Sequence, residues 1–161
     1  MKNRKQTKTR EADVPLDEAV GFLLHEAARL MNRGFSKRLA RHGIQIGVFP
    51  FLRALWGEDG LTLAELAERV GRKGPTAVAA LQQMERDGMI RRVVDKADKR
   101  RSYLYLTARG REFYTKSVPD AESHMKSCLS GFSQREREAF KSFLHRFRAN
   151  LRAKSGETFG E

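Results

Sequence analysis

At 161 residues the chain has room for one domain of ordinary size, and 40% hydrophobic residues supply a core, though a lean one. With 32 Lys and Arg against 20 Asp and Glu, the net charge of +12 favours an anionic partner, nucleic acid ahead of an anionic membrane. A single cysteine, Cys128, excludes an intramolecular disulfide framework or a Cys-rich metal site, and no run is apolar for long enough to span a membrane or act as a signal core.

The first twelve residues carry Lys2, Arg4, Lys5, Lys8 and Arg10 against one acid, Glu11. With almost no apolar surface to offset ordering entropy, they read as a disordered basic arm. From Leu16 to Ala40, Val20, Leu23, Leu24, Ala27, Leu30 and Met31 recur at helical spacing, and Phe35 and Leu39 continue that face. Gly34 weakens this helix and is a place for a bend. A second helix is expected over Ile46–Trp56, starting near Gly47 so that Pro50 falls in the first turn, where N–H groups have no partner anyway.

Thr62 and Glu65 then form a capping box at the head of a third helix. Leu63, Leu66, Ala67 and Val70 are its stripe, and Gly71 ends it. Gly74-Pro75-Thr76 opens a fourth helix with proline at a first helical position. Its apolar face is Ala77, Ala80, Leu81 and Met84, and Gly88 stops it. Two helices so short and so close, each apolar on one side, pack across each other as a helix-turn-helix. Two β-type runs follow, Met89–Val94 and Ser102–Leu106, on either side of the charged turn Asp95–Arg101. A hairpin with a basic tip directly after a helix-turn-helix is a wing.

Thr107 caps a further helix to about Leu129, with a kink or break expected near Val118 because Pro119 interrupts it. Ser133 and Glu136 form a second capping box. Phe140, Phe143, Leu144, Phe147 and Leu151 then build an aromatic face framed by arginine and lysine, larger than one lean core requires. The fold class is therefore mainly α with a small β-hairpin, a winged helix-turn-helix between long terminal helices.

This order of parts resembles the MarR family of winged-helix transcription regulators. The residues that carry the resemblance are Leu61-Thr62-x-x-Glu65-Leu66-Ala67, Met84-Glu85-x-x-Gly88, Asp95-x-x-Asp98-Lys99-Arg100 and Leu106-Thr107-x-x-Gly110. It implies a single domain over 13–154, with dimerisation helices at 13–45 and 108–154 and a DNA-binding lobe at 46–107, followed by a flexible tail at 155–161. It also implies a homodimer on double-stranded DNA, a repressor of a palindromic operator released by a small molecule. Leu16, Val20, Phe140, Phe143, Leu144, Phe147 and Leu151 would then lie at the dimer interface.

Within the DNA-binding lobe, Arg72, Lys73, Arg91 and Arg92 can hold phosphates, and arginine suits a narrow minor groove. Arg100 matches the family's wing arginine, with Lys99 and Arg101 beside it. Asp95 and Asp98 would repel phosphate, so their presence needs a reason. By analogy with the family's wing pattern, Asp98 braces an arginine. The recognition helix departs from many relatives, which resemblance endows with Thr and Arg where this chain has Val78 and Ala79. Thr76, Gln82 and Gln83 remain as polar readers, and Ala77, Ala79 and Ala80 offer only apolar contact, for instance to thymine methyl groups.

A ligand between the dimer helices and the lobe would meet His25, Phe49, Arg53, Trp56 and Tyr114, a set suited to a small aromatic or phenolic ligand. The alternative is that these residues simply pack the joint. No catalytic constellation assembles: the four histidines lie apart, without metal-ligand spacing, and no nucleophile turn or phosphate loop is present. No metal or cofactor is expected, an enzyme is disfavoured, and the location expected is cytoplasmic, associated with the nucleoid. A constitutive architectural or RNA-binding winged-helix protein, without an effector, is the other reading left open.

Overall fold

A computed structural model of the chain describes residues 14–72 and 74–155. The basic arm expected at 1–12, Lys73 and the tail beyond Ser155 lie outside them. Among the described residues, six α-helices and a three-stranded sheet follow in the order α1 (Val20–Ala40), α2 (Phe49–Gly57), β1 (Leu61–Thr62), α3 (Leu63–Val70), α4 (Pro75–Arg86), β2 (Ile90–Val94), β3 (Ser102–Leu106), α5 (Ala108–Cys128) and α6 (Gln134–Ser155).

The local chemistry sets most boundaries. Thr62 accepts from the Glu65 amide while the Glu65 carboxylate accepts from the Thr62 amide, the reciprocal capping box at the head of α3. Gly71 ends α3 in the left-handed region, where an L side chain is unfavourable. Pro75 enters α4 at its first turn, and Pro50 does the same for α2. Ser133 and Glu136 repeat the capping box ahead of α6.

Three expectations need correction, and Gly34 has a role beyond the expected one. The first helix does not begin at Leu16: Leu16–Glu18 is a 3-10 turn whose following amides bond to Pro15, and extended Ala19 delays the α-helix to Val20. Gly34 does not interrupt α1, which runs through it. Instead it lets α5 approach: a Cβ there would stand 2.8 Å from His124 Cε1. Pro119 does not break α5, which is continuous from Ala108 to Cys128. Both Pro119 and Thr115, whose carbonyl loses its donor, are exposed, so solvent takes the missing bond. Ser155, expected in a tail, still belongs to α6.

The sheet order is β1-β3-β2, both pairings antiparallel, with Leu61 opposite Leu104 and Ile90 opposite Leu106. The two-residue strand β1 was not foreseen. Along β3 the alternation of tyrosine and leucine sends Leu104 and Leu106 into the core. One apolar core joins Leu39 of α1, with Ile44 and Val48 of the connection after it, to α2, α3, α4, the sheet and Phe113 of α5. None of the described side chains of α6 is buried in it.

Three contacts fix the start of α5 on the lobe. A Cβ on Gly110 would fall 2.0 Å from the Met89 carbonyl oxygen, so only glycine allows this packing. Trp56 Nε1 donates to the Gly110 carbonyl at 2.9 Å, and Thr107 Oγ1 donates to the Gly88 carbonyl at 2.6 Å.

Candidate nucleic-acid interface

The helix-turn-helix presents α4 outward because its other side is committed to the core. Ala77, Leu81 and Met84 are buried, and the opposite face carries exposed Pro75, Val78, Ala79, Gln82 and Arg86, with Thr76 on one flank. Of the polar readers expected on this helix, Thr76 and Gln82 are exposed. Gln83 is engaged locally: its Nε2 donates to Asp87 at 2.8 and 2.9 Å, and its Oε1 accepts from Arg86 at 2.7 Å. Ala77 is fully buried, which removes it as a base contact.

The cations around α4 differ in freedom. Arg72 is exposed just before the helix, with Nη1 3.4 Å from the Gly47 carbonyl. Arg91 stacks its guanidinium over the Tyr105 ring at 5.1 Å, an arrangement that holds the cation in place without neutralising it. Arg92 is tied into the protein: Nε and Nη2 grip the Glu85 carboxylate at 2.9 and 3.4 Å, while Nη1 reaches Ser102 at 3.2 Å. It fastens β2 to α4, and its charge is matched.

In the wing the two acids organise the backbone. Asp95 Oδ1 accepts from the Ala97 amide at 2.7 Å and the Asp98 amide at 3.1 Å. The Asp98 and Ala97 amides hold the Asp95 carboxyl below the usual carboxylate range, so it stays charged through the neutral region. Asp98 Oδ1 accepts from the Arg100 amide at 3.0 Å. The same carboxylate lies 3.5 Å from Arg100 Nε and 3.8 Å from Arg101 Nε. Asp95 N also donates to the Arg101 carbonyl, closing the hairpin at 2.9 Å. The result is a tip whose arginines stand out into solvent, Arg100 with 95% of its side chain exposed, on a backbone tied down by carboxylates.

At the base of the wing, Asp59 has a role that spacing did not reveal. Oδ1 accepts from the Leu106 amide at 2.8 Å, and Oδ2 pairs with Arg111 of α5. One side chain thus links the turn after α2, the end of β3 and α5.

Where α1, α2 and α5 meet there is a cavity of about 750 Å³, within the range of small-molecule sites. Phe49, Arg53, Trp56 and Tyr114 line it, joined by Arg72 and Glu122. Phe35, Phe49, Trp56 and Tyr114 make a run of edge-to-face ring contacts with centroids 4.9 to 5.8 Å apart. His25 is not among the lining residues. It lies on α1 nearly two turns before Met31, which is the first residue of the wall.

The sequence model of the MarR family matches residues 42–101, from the end of α1 to the wing. The transcriptional regulator TtmR of Methylorubrum extorquens is 30% identical over 143 residues, which cover 89% of this chain and 72% of that protein. This chain belongs to the MarR family. A MarR-family regulator from Silicibacter pomeroyi superposes with a TM-score of 0.73 at 28% identity, over 89% of this chain and 97% of that one. MepR of S. aureus, solved as a complex with DNA, gives 0.74 at 25% identity over 82% and 96%.

As a MarR-family transcriptional regulator the chain is a DNA-binding protein, and its winged helix-turn-helix is the part built for it. The fold brings Thr76, Gln82, Arg72 and Arg91 into the exposed lobe and Lys99, Arg100 and Arg101 to its wing. Sequence reasoning missed Asp59 and underrated Asp95. An Asp two and three residues ahead of the amides it caps was a readable Asx-turn signal; the reach of Asp59 across the fold was not.

Proposed function

We propose that this MarR-family regulator is a homodimeric repressor of a palindromic operator, released by a small aromatic or phenolic ligand. The observation that carries the reading is the uncovered apolar surface on the helices outside the lobe. On α1 and the turn before it, Leu16 and Val20 are exposed; on α6, so are Phe140, Phe143, Leu144, Phe147 and Leu151. A 22-residue helix with no buried side chain among those described gains little from packing within its own chain, and helices owe most of their stability to such packing. A second copy supplies the cover. In this arrangement 13–45 and 108–154 are the dimerisation helices and 46–107 is the reading lobe.

Two-fold pairing places two recognition helices and two wings on one DNA face, which is what a palindrome matches. Arg100 borders or enters the minor groove, and Arg72 and Arg91 hold phosphates. In that arrangement the cavity would lie between dimer helices and lobe; four aromatic rings and two arginines line it, so a ligand there would bear on the angle between the two reading lobes. Mapping protected sites across the source genome tests the proposal. Protection of a few palindromes beside operons is the expected result; protection without symmetry, or of RNA in preference to DNA, overturns it.

A further inference from the structure

We propose that Pro75, Val78 and Ala79 form a reading patch for thymine methyl groups, making Val78 a specificity-determining residue. The inference rests on the reading above, in which α4 enters a major groove. Residues at positions i, i+3 and i+4 of a helix share one face, and here all three are exposed on the side opposite Ala77, Leu81 and Met84. None of the three lines the cavity.

The composition of that face decides what it can read. Guanine is read in the major groove mainly by Arg or Lys, adenine by Asn or Gln, and cytosine by Asp or Glu; thymine alone offers a methyl group. From Pro75 to Met84 the recognition helix holds no charged side chain at all. The first is Glu85, whose carboxylate is gripped by Arg92 at 2.9 Å. Thr76 and Gln82 are the exposed polar groups of that stretch, and the N-terminal half, which reaches deepest into a groove, is apolar apart from Thr76.

Val78 sharpens the point. It is 39% exposed on a helix interior. A β-branched residue there loses rotamer freedom against the preceding turn and, unlike a core valine, gains no burial in return. On a face meant only for water, a straight-chain polar residue would serve the helix better. Against a thymine C5-methyl, the two Val78 methyls and the flat Pro75 and Ala79 surface make a small apolar socket.

The test compares the mapped operator duplex with the same duplex carrying deoxyuridine in place of every thymine, a change that deletes the C5-methyl and keeps each hydrogen-bonding edge. Loss of one buried methyl contact weakens binding about fourfold, so two recognition helices lower affinity on the order of tenfold. In Val78→Ser the thymine-to-uracil affinity ratio should shrink toward one, while the salt dependence stays that of the parent. Equal affinity of the unaltered protein for both duplexes overturns the inference, as does a uracil penalty that Val78→Ser leaves undiminished. Either result leaves the repressor reading standing; failure to bind any duplex sinks that reading instead.

Discussion

Replacing Asp98 with alanine separates two accounts of the wing that predict opposite signs. Counting charge alone, deletion of a carboxylate near DNA strengthens binding. At ~8 Å from a phosphate in a water-like medium the relief is about 0.5 kcal/mol, and screening at physiological salt cuts it further. The geometry argues the other way. The carboxylate accepts from the Arg100 amide at 3.0 Å and stands 3.5 and 3.8 Å from the guanidinium nitrogens of Arg100 and Arg101. The ion pairs are long and exposed, so they contribute little by themselves. The hydrogen bond to the backbone contributes roughly 0.5–1.5 kcal/mol, and it decides where the tip points. Asp98→Ala should therefore weaken operator binding by roughly threefold to tenfold per wing, with thermal stability little changed. Asp98→Asn keeps the oxygen that accepts from the Arg100 amide while removing the charge, and should bind as tightly as the parent or more so. Fluorescence anisotropy with one operator duplex at one ionic strength measures all three proteins. Tighter binding by Asp98→Ala than by the parent refutes the bracing role and leaves the wing a plain cationic patch.

Three further outcomes are expected. Phe143→Glu together with Phe147→Glu would bury unpaired charge between subunits at a cost of several kcal/mol, giving a monomer by light scattering at micromolar concentration; an unmodified chain that is already monomeric there overturns the premise. Gly110→Ala forces α5 off the Met89 carbonyl and stretches the Trp56 hydrogen bond, for about 2–3 kcal/mol and a melting temperature lower by on the order of 5–10 °C; an unchanged melting curve would show that α5 yields freely. Hydrogen bonds from Thr62 lower the Glu65 carboxyl below its ordinary value, so its contribution is full above the unfolded value, about 4.3, and fades as pH falls through the lower folded one. The difference in urea midpoint between the parent and Glu65→Ala should accordingly be widest near neutrality and close on acidification, and a gap that is constant with pH contradicts this.

What could be read from sequence was chemistry confined to a few neighbouring residues. The Thr62–Glu65 and Ser133–Glu136 boxes, the left-handed Gly71 and the entry prolines of α2 and α4 are each decided within one turn of chain. The β3 alternation of Tyr103, Leu104, Tyr105 and Leu106 is likewise local, and so was the identity of the wing as a wing. Apart from the local turns at Leu16–Glu18 and Asp95, the misses depend on partners far along the chain. Nothing near Gly34 announces that His124 crosses there, and nothing near Asp59 announces Leu106 and Arg111. A two-residue strand such as β1 exists only because β3 lies beside it. Pro119 carries a breaker's signal, but the adjoining turns hold α5 together, and Asp120 is anchored to His42 at 2.8 Å. For the candidate site the division is similar: wing and helix residues followed from motif order, whereas membership of the cavity required the crossing of α1 over α5, which leaves His25 outside.

Trp56 is the only tryptophan in the chain. It stands in the cavity wall, its ring edge-to-face with Phe49 and Tyr114 and its N–H bonded to a carbonyl of α5. The indole therefore touches the cavity, the DNA-binding lobe and the long helix α5 at once. Any molecule that enters the cavity, or any tilt of the lobe on α5, alters the polarity and hydrogen bonding of this one chromophore. The protein carries its own optical gauge: ultraviolet emission from an unlabelled sample reports on the joint, with no second indole to blur the signal, and a collection of small aromatic and phenolic compounds can be screened by watching it.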